Sequence, residues 1–491
     1  MRVTWRLLAG VLVALAPPLA AGLAPVRQPA PPAPVVTPST HSDHSPAPVT
    51  RSRTDQVAVP PGAGAPAWDG RLPPWPVGGK VFEVGPGRAN KTIGQAMFLA
   101  RDGDRVIVYG GQYHGQVRMQ YRVWLDVRDG AEFMGHDGSA VVITAPGARV
   151  TGLTITHAGD SMDSEDAGVT VRDAPGAVVA NCTISDVKFG VVAKNSPGVI
   201  IAGNTITGRA EELSLLGDGI RVWYSDGALV VANSVRHTRE ILVEQTKGAR
   251  VEANAVTDSR QGLHLMSAPA ATATRNFLGG NSTGIYVMYG AETVVTDNWV
   301  VYARGPSGYG VGVKEADGVR VEGNRLVGNR VGIYLENSPM RADKPGILTG
   351  NLLAGNDVGL SLTVSTHSNQ ISENNFLENL QQVSVAGQGT LAANEWTVAG
   401  RGNHWSDYAG YDAAGDGLGD VAYAPLRVFE GWMDRQPDLR WFWFTPAASA
   451  VDAAARAFPV AAPEPILTDE RPLMAPSPGR ESPWSSLTLL P

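Results

Sequence analysis

The chain has 491 residues, a formal net charge of −7, one cysteine and 18 % charged residues. That balance leaves no basic footprint, which excludes nucleic acid as a partner. The single thiol, Cys182, excludes an intrachain disulfide framework, so an exported form must rely on its apolar core.

The N-terminus decides the compartment. Arg2 and Arg6 precede an apolar run at 7–16, and small residues at 20–24 offer a cleavage site. This is the layout of a signal peptide over residues 1–24, with a run too short to span a bilayer comfortably. No later segment is long and apolar enough to span one, so the exported protein is expected to be at most peripheral to the membrane. Residues 25–74, rich in Pro, Ala, Ser and Thr, read as a disordered tether. His41 and His44 lie within it at HxxH spacing, with no helix to hold them on one face.

A solenoid is expected over residues 75–400. It opens with Trp75 between two prolines, a strand at Val81–Val84 and a helical stretch at 92–101 that covers the open end of the coils. From the strand at Arg105–Tyr109 onward one phrase keeps returning. A small residue opens an alternating Val/Ile/Leu run, and an Asn follows: GVIIAGNTI, ALVVANSV, ARVEANAV, TVVTDNWV, GVRVEGNRL. The asparagines Asn204, Asn233, Asn254, Asn276, Asn298, Asn324, Asn351 and Asn374 are 29, 21, 22, 22, 26, 27 and 23 residues apart.

A period near 22 with period-2 alternation inside each unit means stacked coils of short strands, because one unit cannot bury its apolar face alone. The fold class is therefore all-β, a right-handed parallel β-helix of about thirteen coils, on the order of 60 Å long at ~4.8 Å per coil. The turn asparagines are expected in left-handed backbone, with amides bonded from coil to coil. Cys182 (GAVVANCTI) falls in the slot that Asn204 fills one coil later, as a buried structural thiol.

The texture changes at 401–475, which reads as an aromatic-rich cap ahead of a flexible tail at 476–491. The cap carries Trp405, Trp432, Trp441 and Trp443, and an amphipathic pattern at 447–458. Large aromatics at a solenoid end cover the core or anchor an interface; Trp405, Trp432 and Trp441 are expected to contact a partner. Within the cap, Asp412, Asp416 and Asp420 stand at positions 1, 5 and 9 of a calcium-loop pattern, with Gly417 at its turn. Positions 3 and 12 are Ala414 and Tyr423, so the alternative is a turn whose carboxylates cap their own backbone. A second acidic group, Asp160, Asp163, Glu165 and Asp166, reads as a solvated insertion without a Lys or Arg column beside it.

The sharper constellation lies in GLHLM (262–266) and GIYVM (284–288), whose spacing of 22 equals that of their flanking asparagines. In-register stacking puts Met288 beside Met266 and Tyr286 beside His264, with the Met and His side chains on the outer face. The preceding coil brings Glu244 beside Met266, and Trp223 and Tyr224 lie one coil further up. Stacked thioethers beside an imidazole suit a soft ion such as Cu(I). The same side chains also suit an apolar docking patch, to which Trp223, Tyr224, Tyr286 and Tyr289 would add aromatic contacts.

Together GDGIRVWYS (217–225), GLHLM, GIYVMY (284–289), NRVGIYLENSP (329–339), GNHWSDYAGYDAAGDGLGD (402–420) and AFPV…RPLM (457–474) resemble one family, NosD, over roughly residues 80 to 475. NosD is the periplasmic maturation protein of copper-containing nitrous-oxide reductase. The resemblance implies a non-enzymatic β-helix that works with an ABC transporter (ATPase and permease) and a copper-carrying lipoprotein to supply the reductase, as scaffold and Cu(I) relay. The chain departs from the family pattern at 241–245 (ILVEQ for an aromatic-rich word), after Met266 (SAP) and at Ala414. The competing class is a polysaccharide lyase, epimerase, glycosidase or carbohydrate-binding rod. The first three would need paired carboxylates, or a basic residue beside clustered acids. Arg221, His264, Tyr286, Lys314 and Glu336 fall on different coils, with no evident pair.

Overall fold

A computed structural model describes residues 71–425 other than 136 and 388, residues 465–477, and isolated positions between 426 and 464. The signal peptide, His41, His44, nearly all of the tether, the tail beyond 477, Trp443 and most of 447–458 lie outside the described residues.

The chain forms the expected right-handed parallel β-helix of about 13 turns. Each coil contributes one short strand to each of three sheets, of 13, 12 and 13 strands, and consecutive strands within a sheet pair in parallel. The strand Val81–Val84 pairs with Arg105–Tyr109, so the opening module is already part of the first sheet. Helix Ile93–Leu99 is fixed at its start by a reciprocal Thr92–Gln95 capping box and buries Ile93 and Ala96 against the first coil. No helix among the described residues is long and apolar enough to cross a membrane.

Alternation decides which side chains enter the core. In Gln261–Met266, Leu263 and Leu265 are buried while His264 and Met266 face outward, and Ile285 and Val287 repeat the pattern one coil on. The interior is one continuous core from Val84 to Leu467, mostly Val, Ile, Leu and Ala, with aromatics such as Phe376, Trp405 and Tyr423 toward its C-terminal end.

The asparagines form the expected line along one corner. The backbone N–H and side-chain amide of Asn204 both donate to Oδ1 of Asn233, at 3.0 and 2.9 Å. The same double bond joins Asn233 to Asn254, Asn254 to Asn276, and so on to Asn374 and Asn403. Each amide also donates to an inner-strand carbonyl, as Asn276 does to Val251 at 3.0 Å. Asn403 ends the line by donating to Oδ2 of Asp469. One expectation needs correcting: the left-handed residue is the one before each asparagine, such as Ala232, Ala253, Arg275, Asp297 and Glu373, and not the asparagine itself. The asparagines therefore serve the corner through their amides. Cys182 occupies its expected slot; burial pushes its thiol up to about 12, consistent with an inert structural sulfur. Shorter ladders run along the other corners, Asn329–Asn356–Asn379 and Ser196–Ser225–Thr246.

Candidate metal-handover face

The outer face of the 12-stranded sheet carries the candidate residues in register. Met266 pairs with Met288, His264 with Tyr286, and Glu244 with both Trp223 and Met266. The expected juxtaposition is present. Both thioethers are partly exposed, and Lys314, ion-paired with Glu336 at 2.7 Å, follows Met288 in the same column.

His264 is held more firmly than the sequence suggested. Its ring stacks on Tyr286 (centroids 5.9 Å, interplanar 24°), and Nδ1 lies 3.1 Å from Oε2 of Glu240. Nε2 is buried and has no hydrogen-bond partner. The aromatic line continues through Tyr309 to Tyr334, stacked at 4.3 Å. Burial and, after it, the Glu336 carboxylate push the Tyr286 and Tyr309 phenols up.

Upstream of His264 lies an ion network that corrects the reading of the acidic loop. Glu165 is not solvated: it reaches Lys194 at 2.5 Å and Arg221 at 3.1 Å on the next two coils. Arg221 also binds Glu244 at 2.9 Å and lies 3.8 Å from Asp218. Arg239 clasps Asp218 through two bonds, at 2.7 and 3.0 Å, and comes within 3.6 Å of Glu240. Burial pushes the Asp218 carboxyl up to about 6, against the pull of Arg239 and with added repulsion from Glu240. Asp160 pairs separately with Arg209 at the coil's corner, and Asp163 is exposed.

Basic residues of three successive coils therefore do stand beside carboxylates, though not in one register column. Asp218 is nevertheless fully buried, with both oxygens occupied by Arg239, so it presents no acid or base to a bound sugar. Sequence reasoning gave no role to Asp218, Arg239 and Glu240. Their signal was the charged residue one or two positions before the inward Ile220 and Ile241.

The aromatic candidates divide. Tyr224 (50 % exposed) and Tyr289 (45 %) project from the corner after the strand, both with left-handed backbone. Trp223 lies between Lys194 and Arg221, 5.2 and 5.7 Å from its ring, and its indole N–H is buried without a partner. Trp405 contradicts its expected interface role. It is 1 % exposed, stacked between Phe376 and Tyr423, and donates its N–H to Asp469. A stack at the end of the last coil closes the core. Trp432 is exposed; Trp441 lies in the last turn of the 3-10 helix Pro437–Phe442, and its side chain lies outside the described residues.

The calcium pattern does not assemble. Asp412 accepts from the backbone N–H groups of Gly415, Asp416 and Gly417, Asp416 turns to Arg471 at 2.8 Å, and Asp420 accepts from Ala413 N–H. The backbone donors hold the Asp412 carboxyl below its ordinary range. These carboxylates cap their own turn, and among the described residues no three His, Cys, Asp or Glu side chains are placed to hold a metal ion. A soft site built on two thioethers and one imidazole is a different ligand set.

Residues 203–410 match the family described as periplasmic copper-binding protein (NosD), and residues 129–239 match the right handed beta helix region. The probable ABC transporter binding protein NosD of Stutzerimonas stutzeri is 30% identical over 394 residues, covering 74% of this chain and 85% of that protein. Its namesake in Pseudomonas aeruginosa is 30% identical over 395 residues, covering 77% and 90%. Among solved structures, the catalytic domain of a GH87 alpha-1,3-glucanase in complex with nigerose overlaps 68% of this chain and 71% of its own, at 11% identity and a TM-score of 0.47. With most of the length of two NosD proteins covered at this identity, on a coil architecture the sequence words anticipated, the chain belongs to the NosD family.

Proposed function

We propose that the protein is an exported, non-enzymatic accessory factor that passes Cu(I) across Met266, Met288 and His264 while docked to an ABC transporter. In this reading a leader over residues 1–24 is cleaved and the protein stays peripheral to the membrane. A copper-carrying lipoprotein delivers the ion, and a nitrous-oxide reductase receives it. The observation that carries the reading is the in-register pair Met266–Met288, beside an imidazole with an unpartnered Nε2, in a chain of a family described as copper-binding.

Two thioethers and one imidazole are a soft and incomplete ligand set, suited to capture and release more than to storage. A partner that adds a further ligand would tighten the site, and the exposed Tyr224 and Tyr289 flank it as contact points for that partner. The test is the Met266→Leu, Met288→Leu double variant, which keeps volume and apolarity and removes both sulfurs. The expected result is a normally folded protein that no longer supports copper loading of the client reductase. Full loading by the folded double variant would reduce the patch to a docking surface.

A further inference from the structure

The geometry points to Glu240 as the positioning residue that fixes the His264 tautomer and so keeps Nε2 as the unprotonated nitrogen, the one able to bind a metal. The inference rests on His264 being a copper ligand. Imidazole has two nitrogens, and in the neutral ring only the unprotonated one can bind a metal. A carboxylate accepts and does not donate, so the 3.1 Å contact from Glu240 Oε2 places the ring proton on Nδ1. In the neutral ring Nε2 is then the lone-pair nitrogen, and it is the atom left buried and without a partner. Were the proton on Nε2 instead, the structure would bury an unsatisfied donor and set a lone pair against the carboxylate, losing on both counts.

Glu240 can hold this position because it is itself pinned. It is buried, faces Arg239 at 3.6 Å, and Arg239 is anchored by its double bond to Asp218. The linked set also has a charge that suits the cargo. Glu165, Asp218, Glu240 and Glu244 face Lys194, Arg221 and Arg239. The four carboxylates outnumber the three cations by one, so the side chains gathered beside the ligand imidazole are formally anionic in excess, as suits a cationic cargo. Met266 lies two residues further along the same strand, so nitrogen and sulfur are offered from one rigid element. On capture, the Nε2 lone pair would form the bond to Cu(I) while the proton remains on Nδ1, hydrogen-bonded to Glu240, so that no proton would leave the ring.

The experiment needs two readouts on the full-length protein. The first uses metal-free, 15N-histidine-labelled protein, with the His264 signals identified from a His264→Gln variant. Wild type should show a protonated Nδ1 and a bare Nε2; Glu240→Ala and Glu240→Gln should shift the ring toward the Nε2–H form, with circular dichroism unchanged in at least the isosteric Gln variant. The second is anaerobic competition for Cu(I) against bicinchoninate, in which Glu240→Gln should weaken binding about 10- to 100-fold, and His264→Gln at least as much. An Nε2–H ring in wild type, or a ring indifferent to both Glu240 variants, overturns the role of Glu240 whatever copper does. Cu(I) binding that His264→Gln weakens but Glu240→Gln leaves intact overturns it too, while sparing the copper site. Cu(I) binding unaffected by His264→Gln refutes the site itself, and with it the purpose assigned to Glu240.

Discussion

Trp405 stacks on Tyr423 with ring centroids 4.3 Å apart and planes 13° from parallel, while its other face meets Phe376 at the same distance. The last coil is thereby sealed by a residue of the C-terminal segment. Asp469 completes the seal by accepting from the Trp405 indole and from Thr397. The aromatic cap and the core are one packing unit at this end.

Trp405→Ala should therefore behave as a core deletion. It removes a fully buried indole and leaves Asp469 short of a donor, for a loss of about 3–5 kcal/mol in urea unfolding. Trp432→Ala, at an exposed position, should stay within about 0.5 kcal/mol of wild type. Equal losses from the two variants would contradict the assignment.

Asn276 accepts two bonds from Asn254 and donates to Asn298 and to the Val251 carbonyl, all within the protein. Asn276→Ala strands several buried groups at about 1–3 kcal/mol each, and is expected to rank among the most damaging substitutions in the rod. Val251→Asp, which would bury an unpaired carboxylate among fully buried neighbours, should cost a comparable several kcal/mol. Thermal and urea unfolding of both variants check the ranking.

Tyr224 and Tyr289 adopt φ of 46° and 55° at a corner where other coils place Asp173, Asn195 and Asn337. A bulky ring there costs backbone energy that asparagine avoids in part. Tyr224→Asn and Tyr289→Asn should leave stability equal or up to about 1 kcal/mol higher, and should weaken association with the transporter measured by pull-down. A variant that loses stability with unchanged association would show that the rings serve folding.

Asp218, pushed up to about 6 by burial, makes a pH prediction with a definite sign. Between the ordinary carboxyl value and 6, the native state binds the proton more tightly than the unfolded chain. Its contribution is thus fully present below that window and is lost as pH rises through it. Urea midpoints at pH 4 and 6.5 should show wild type losing more stability over this step than Asp218→Asn. A wild type that gains relative to Asp218→Asn would mean that the Arg239 clasp dominates over desolvation.

The solenoid was legible because its period and its inner alternation are both one-dimensional properties of the chain. The Met266–Met288 pair was legible for the same reason: equal spacing from two ladder asparagines fixes register without any knowledge of side chains. Contacts that cross columns were not. Glu240 reaches His264 diagonally across 24 residues, and Glu165 meets Arg221 from 56 residues away, through the reach of long side chains that sequence spacing does not encode. Trp405 misled because a sealing aromatic and an interface aromatic have the same composition. The one-residue offset between ladder asparagine and left-handed corner was hidden by the Gly or Ala that often precedes the Asn.

The asparagine line is directional, since every member donates toward the C-terminal end and accepts from the N-terminal side. A chain assembling coil upon coil from its N-terminus thus always shows two unanswered N–H groups at its advancing face. Each new coil silences the pair before it and exposes its own. Only when Asp469 folds back onto Asn403 does that succession stop, so the final carboxylate acts as the full stop of the rod. Until residue 469 folds back, a growing solenoid carries a face ready to accept one more coil, its own or another molecule's.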